Sequence, residues 1–150
     1  MTESKDVMVS LPTWFTLRAD DEFQLGPRQF PGRIWTASGC FAYGLSGHGM
    51  TAPDLKSPYA GLGAVVTKTV TPASRSGNPM PRLCELPTGA INSIGLENVG
   101  FDAFLKDVLP QLEKLAVPTV VSLAASRPDE FGEMVQRLNE SAAGYSHWHG

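Results

Sequence analysis

The run Ala64-Val65-Val66-Thr67-Lys68-Thr69-Val70 constrains this chain more than any other segment. It is β-branched and nearly continuous, the pattern of a strand covered on both faces. Such strands belong to parallel sheets packed between helices. The sequence downstream agrees. Phe101, Phe104, Leu105, Val108, Leu112 and Leu115 recur at spacings of three and four and predict an amphipathic helix over residues 101–115. Pro110 interrupts it, so a kink or a short second segment is expected there. Residues 117–124 predict the next buried strand. Residues 127–139 predict the next helix, with Pro128 in its first turn, Phe131, Val135 and Leu138 facing inward, and Gly144 as its stop.

Upstream, Arg33-Ile34-Trp35-Thr36-Ala37 predicts a short strand ended by Ser38-Gly39. Val7-Met8-Val9 and Trp14-Phe15-Thr16-Leu17 are candidate short strands, and residues 18–32 read as a loop. Residues 53–59 are a weak helix at best, because Pro58 interrupts them. A long loop is expected over residues 71–100, with Pro72, Pro79, Pro81 and Pro87. A loop of that length inside a compact domain is usually functional or wrongly assigned, and the Asn, Gly and Ser content at its end favours function.

Strand, loop and helix thus repeat, as in a parallel sheet with crossover helices. Short β-branched strands suit a (β/α) barrel, which needs about 250 residues to close. The expectation is therefore an α/β fold, a partial (β/α)8 TIM barrel with the N-terminal half only. It would form one incomplete domain over residues 1–150, with an irregular segment at 1–32 and a doubtful tail at 145–150. A small open α/β fold is the alternative.

Composition narrows the function. Hydrophobic content of 42% and charged content of 18% fit a soluble globular domain, and a net charge of −3 argues against a nucleic-acid partner. No window approaches the ~20 apolar residues of a membrane helix. The charged start Met1-Thr2-Glu3-Ser4-Lys5-Asp6 leads into no long apolar stretch, so no signal peptide and a cytoplasmic location are expected. Cys40 and Cys84 read as free thiols of a reducing compartment, with Cys40 a small buried hydrophobe. His147 and His149 are too few ligands for a zinc site, and His48 reads as an exposed loop residue.

In parallel α/β folds, ligands bind beyond the carboxyl ends of the strands. Ser38 and Gly39 follow the first strand, Lys68 and Thr69 end the second, and Ser122 lies near the end of the third. Asn92-Ser93-Ile94-Gly95-Leu96-Glu97-Asn98 closes the loop after the second. These polar residues should converge on one rim. Lys68 is the most telling, since a lysine in an apolar strand is costly unless it meets an anion or reaches solvent. Asn92 and Asn98, flanking Gly95, are also compatible with ordinary turn chemistry.

In combination, these segments resemble the N-terminal half of a class 1 dihydroorotate dehydrogenase, an FMN enzyme of pyrimidine synthesis. Thr36-Ala37-Ser38-Gly39-Cys40-Phe41-Ala42-Tyr43-Gly44 is similar to the family's Ala-Ser-Gly segment and its aromatic-Gly turn. Residues 63–72 and Gly77-Asn78-Pro79-Met80-Pro81-Arg82 match its strand and following loop, and Asn92 to Leu96 match its substrate loop. Ile94 and Glu97, where other branches carry Met and Pro, are nearer the heteromeric, NAD-linked branch.

The resemblance implies roles. Ala37, Ser38, Gly39, Thr69 and Ser122 would border the FMN. Lys68 would touch both flavin and orotate. Asn92, Ser93, Ile94, Gly95 and Leu96 would hold the pyrimidine. The implied partners are dihydroorotate or orotate and an iron–sulfur flavoprotein electron-transfer subunit, with a homo-oligomer or heteromer when complete. The pattern also departs from the family. Ser122 and Ala125 stand where Asn and Gly are usual, and Pro31-Gly32-Arg33 replaces an Asn-Pro before the first barrel strand. The family's cysteine base belongs to the fourth strand, and neither Cys40 nor Cys84 aligns with it. The catalytic base is expected beyond Gly150, and no residue within the chain takes that role. This chain alone is therefore expected to be inactive. The rivals are a flavin reductase of another pyrimidine and a non-catalytic half-barrel used for binding or assembly.

Overall fold

Phe23–Leu25 (β1) and Arg28–Phe30 (β2) open the fold as an antiparallel hairpin, with Leu25 opposite Arg28 across Gly26 and Pro27. Gly26 has φ +58°, which a glycine adopts without steric cost. The computed structural model describes residues 22–45, 62–115 and 117–145. The candidate strands at 7–9 and 14–17, the helix at 53–59, and His48, His147, His149 and Gly150 lie outside these residues. So does the fourth-strand base expected beyond Gly150; Cys40 and Cys84 lie on a turn and on a second hairpin. Of the tail read as doubtful, Tyr145 is described. Its N–H donates to Ala142 O at 2.9 Å, and its side chain packs against the core. The hairpin corrects the loop expected at 18–32. Charge and Pro-Gly content masked the short alternation of Phe23-Gln24-Leu25 and Arg28-Gln29-Phe30.

Val65–Val66 (β3) forms the centre of the parallel sheet. On one side Trp35 makes an isolated parallel bridge to Ala64; on the other, β3 pairs with β6 (Thr119–Val120), and a further bridge joins Val70 to Leu123. All three strand-like runs of the sequence therefore lie parallel, in the spatial order first, second, third. The ladders are shorter than the apolar runs. Side-chain hydroxyls replace the missing rungs: Thr36 Oγ1 accepts from Val66 N–H at 2.9 Å, and Thr67 Oγ1 accepts from Ser122 N–H at 3.1 Å. Both threonines are buried, and these bonds satisfy them. Among the described residues no strand covers the outer edge of β6, so the sheet is open.

The segment expected to be one long loop contains a second hairpin, Leu83–Leu86 (β4) with Gly89–Asn92 (β5), in the register Leu83 to Asn92 and Leu86 to Gly89. Every residue of it is exposed. With no buried face, it carries no alternation to be read from sequence.

The helix expected at 101–115 forms in three pieces: Phe101–Ala103 (α1), a wider π-helical stretch at Phe104–Val108, and Leu109–Leu112 (α2). Pro110 accounts for the break. It has no N–H to give the carbonyl four residues back, and its ring crowds that carbonyl. Phe101, Phe104, Val108, Leu109, Leu112 and Leu115 all enter the core beside Val65 and Val70. Each buried phenylalanine contributes about 1.5–3 kcal/mol relative to an exposed one.

Pro128–Ala142 (α3) starts where Pro128 predicts. Glu130 caps it by accepting from Ser126 N–H at 3.0 Å and Arg127 N–H at 3.2 Å. Its buried stripe is Met134, Leu138 and Ala142. Phe131 and Val135, expected inward with Leu138, are 39% and 47% exposed. The apolar stripe is wider than the surface the described residues offer it, and only one side is covered. Cys40 is also corrected. It and Cys84 are free, but both are exposed, because Cys40 lies on a turn outside the sheet.

Candidate functional site

At the carboxyl ends of the three parallel strands, Ser38, Thr69 and Ser122 meet. Ser38 Oγ donates to the Thr67 carbonyl at 2.8 Å and lies 3.2 Å from Thr69 Oγ1, which lies 2.9 Å from Ser122 Oγ. Each hydroxyl has one proton. Because Ser38 spends its proton on Thr67, Thr69 must donate to Ser38 and Ser122 to Thr69. The chain of hydroxyls therefore offers outward lone pairs, not donors. Three residues far apart in sequence, each chosen from a different strand end, are thus in direct contact.

Lys68 adjoins the same group. A Cβ built on Gly39 would lie 3.8 Å from Lys68 Cγ and 4.0 Å from its Nζ, so the bare Gly39 backbone and the lysine side chain are neighbours. Gly39 has φ +79°, in the turn that brings Ala42 O to Lys68 N–H at 2.6 Å. Lys68 is half-buried, and among the described residues no carboxylate pairs with it. A partly desolvated ammonium without an internal counter-charge is suited to an anion. Ala37 and Ser38 are exposed beside it.

The segment Asn92 to Asn98 forms a second wall. Its path is fixed by its carbonyls and by Arg82. Asn78 N–H donates to Ile94 O at 2.9 Å, Asn78 Nδ2 to Ser93 O at 2.8 Å, and Ser93 N–H to Arg82 O at 2.9 Å. The Arg82 guanidinium donates to Ser76 O and Asn78 O, each at 3.3 Å, and pairs with Glu97. Gly95 has φ +80°, and a Cβ there would meet Asn78 N at 2.9 Å, so only glycine fits. The exposed Asn92 side chain turns back toward Ile94 N–H at a long 3.5 Å. The N–H groups of Gly95 and Leu96 have no acceptor among the described residues. They are the loop's spare donors.

Two contacts tie this wall to the strand ends. Asn98, 6% exposed, bonds the residue after Val70: its Oδ1 accepts from Thr71 N–H at 3.1 Å. Tyr43 Oη accepts from Val99 N–H at 3.1 Å while its ring packs on Phe104, centroids 5.9 Å apart. Sequence reasoning gave Thr71, Tyr43 and Arg82 no roles of their own and quoted the latter two only within longer matching segments. Their roles follow from partners 27, 56 and 15 residues away, a distance no local pattern encodes.

The described residues hold no cluster of three or more histidine, cysteine or carboxylate side chains able to bind a metal, and no helix among them is long and apolar enough to cross a membrane.

Parallel strands joined through helices, with polar groups gathered at their carboxyl ends, define an α/β fold, a class in which ligands generally bind beyond those ends. The sequence model of the family described as dihydroorotate dehydrogenase matches residues 23–146, and the chain belongs to that family. Among its relatives, the dihydroorotate dehydrogenase B (NAD(+)), catalytic subunit, of Desulforudis audaxviator (strain MP104C) is 42% identical over 109 residues, 71% of this chain and 33% of that protein. The protein of the same name from Solidesulfovibrio magneticus is 46% identical over 108 residues, again 71% and 33%. That from Pelobacter propionicus is 36% identical over 124 residues, 83% of this chain and 39% of that one. The chain therefore spans about a third of the length of the curated relatives it matches. A crystal structure of DHODH in complex with ferulenol from Eimeria tenella superimposes with a TM-score of 0.56 over 87% of this chain and 37% of that chain, at 22% identity, a likeness of fold.

Proposed function

We propose that this chain contributes the flavin-contacting and orotate-contacting front of a dihydroorotate dehydrogenase, acting in de novo pyrimidine synthesis. Its sheet is then the first part of a (β/α)8 barrel. The observation that carries the reading is the contact of Ser38, Thr69 and Ser122 at three parallel strand ends, with Lys68 beside Gly39. The names of the relatives and the family membership support it.

The residues present fit FMN. Gly39 sets bare backbone beside the Lys68 side chain, whose ammonium suits an anionic ligand, and the hydroxyl chain presents acceptors to polar hydrogens. Ala37, Ser38, Gly39, Thr69 and Ser122 would border the flavin, with Ser122 accepting where the family's Asn would also donate. The chemistry the flavin supplies when bound is acceptance of a hydride as dihydroorotate becomes orotate. Lys68 places its positive charge against the orotate carboxylate. Asn92 and the spare N–H groups of Gly95 and Leu96 bond the ring carbonyls and amides, with Ser93 and Ile94 holding the turn. Donors of this kind, once a ligand covers them, select one that pairs them all. The NAD-linked names favour electron exit through an iron–sulfur flavoprotein subunit.

Titration of the purified protein with FMN and then orotate, followed by flavin fluorescence, tests the reading. Saturable binding of both, with K68A weakening orotate by about 10-fold or more, is the expected result for losing a charge-assisted contact. Failure of the wild-type chain to bind either ligand would overturn it.

A further inference from the structure

Asn98 divides its amide between two tasks. Oδ1 accepts from Thr71 N–H at 3.1 Å and from Gly100 N–H at 2.9 Å, joining the end of the central strand to the start of α1. Nδ2 donates to Leu96 O at 2.8 Å and to Thr71 Oγ1 at 2.9 Å. The Thr71 hydroxyl itself donates to Ala73 O at 2.6 Å, which leaves it an acceptor for Asn98. Backbone bonds in both directions between Arg75 and Asn98, at 3.0 and 2.9 Å, hold the asparagine in place.

Leu96 is where that grip matters. It is a non-glycine residue at φ +59°, a conformation that costs energy and persists only when its surroundings impose it. Beside it lies an open cavity of about 260 Å³, lined by Leu96 with Thr71, Arg75, Ala124, Ser126 and Glu130 among others. A strained residue beside an open cavity has somewhere to go once released. The bond from Asn98 Nδ2 to Leu96 O is the side-chain tether that opposes this.

We infer that Asn98 is the positioning residue of the 92–98 loop: Oδ1 maintains the fold, and Nδ2 holds Leu96, and with it the spare N–H groups of Gly95 and Leu96, in ligand-accepting geometry. The ligand part of this inference rests on the orotate reading above.

The two functions separate in N98D. Aspartate keeps the acceptor for Thr71 and Gly100, and its second oxygen accepts from the Thr71 hydroxyl if that rotates, which leaves Ala73 O without that donor. Leu96 O loses its donor and faces a repelling oxygen. Hydrogen exchange of the purified chain is the test, with FMN and orotate titrations alongside. It is read at the amides of Ser93 and Asn78, whose bonds to Arg82 O and Ile94 O hold the loop, and separately over 101–115. In N98D, exchange at Ser93 and Asn78 should rise about tenfold while 101–115 stays at the wild-type rate, the size expected for one lost bond. Orotate affinity should fall about as much, with FMN affinity unchanged. L96G, which removes the strain at φ +59° without touching the tether, should restore slow exchange in the N98D background. Unchanged exchange at Ser93 and Asn78 in N98D would overturn the positioning role whatever the ligand. Raised exchange in N98D, in a protein whose wild type binds no orotate, would uphold the positioning role and defeat the orotate reading instead. N98A, which loses both tasks, should raise exchange in both regions; a rise at Ser93 and Asn78 alone would overturn the assignment of Oδ1 to the fold.

Discussion

Thr69 and Ser122 face each other with their hydroxyl oxygens 2.9 Å apart, on the ends of strands 53 residues distant in sequence. Thr69 is the middle member of the group, since it also touches Ser38. T69V therefore breaks two contacts, and S122A only one. We expect S122A to cost about 1 kcal/mol and T69V more, up to about 2 kcal/mol, in urea denaturation. The double variant should cost less than the sum, because the two share a bond. Strict additivity would show that the hydroxyls do not interact in solution.

S122N should act in the opposite sense on the flavin. The hydroxyl chain has spent its donors, and an asparagine would add an amide N–H. Flavin affinity measured by fluorescence titration should rise in S122N and fall in T69V. An affinity indifferent to both would remove the strand ends from the flavin site.

The helix phases make a second pair of expectations. Phe104 is fully buried against Tyr43, whereas Phe131 is 39% exposed. F104A should cost about 3–5 kcal/mol. F131A should stay below about 1 kcal/mol. Thermal denaturation of both variants decides it. A large cost at Phe131 would mean the residue is covered after all, as its place in the apolar pattern suggests.

That pattern shows how far the sequence can be read. The core is legible because it is written locally. Val65, Val70, Phe101, Phe104, Leu112 and Leu138 follow from β-branched runs and three-to-four spacings, and all are buried. Ser38, Lys68, Thr69 and Ser122 are legible as strand-end polar residues, and the hydroxyl contacts bring the three hydroxyl-bearing members together. The β4–β5 hairpin is not legible, since a strand exposed on both faces has no period to detect. Asn98 reads as a turn residue, and its burial depends on Thr71, a partner that no spacing rule names. Periodicity places Phe131 and Val135 inward because it gives the width of an apolar stripe but not how much of it finds cover.

Glycine positions offer a sharper contrast. Gly100 has φ +83°, and a Cβ on it would lie 2.6 Å from Ser74 N. Gly89, in the exposed hairpin, has nothing within 4 Å of the same built atom. G100A should destabilise by more than the ~1–3 kcal/mol of the backbone strain alone, since a clash adds to it. G89A should be close to neutral. Comparable melting temperatures for the two variants would contradict the packing of residues 73–74 against the start of α1.

Arg82 and Glu97 close the last relationship. Their side chains are 23% and 45% exposed, so solvent screens the ion pair and its own contribution is about 0.2–1 kcal/mol. The guanidinium does more than neutralise the carboxylate, because it also bonds Ser76 O and Asn78 O, and Asn78 in turn holds Ser93 O and Ile94 O. E97Q should therefore cost less than about 1 kcal/mol and lose its effect in high salt. R82A should cost more, and its effect should survive salt, because the backbone carbonyls lose their donor whatever the ionic strength. Denaturation midpoints of both variants at low and high sodium chloride measure this directly. If R82A and E97Q show equal costs that vanish together in salt, the arginine acts only through Glu97, and the loop at 92–98 does not depend on it for its shape.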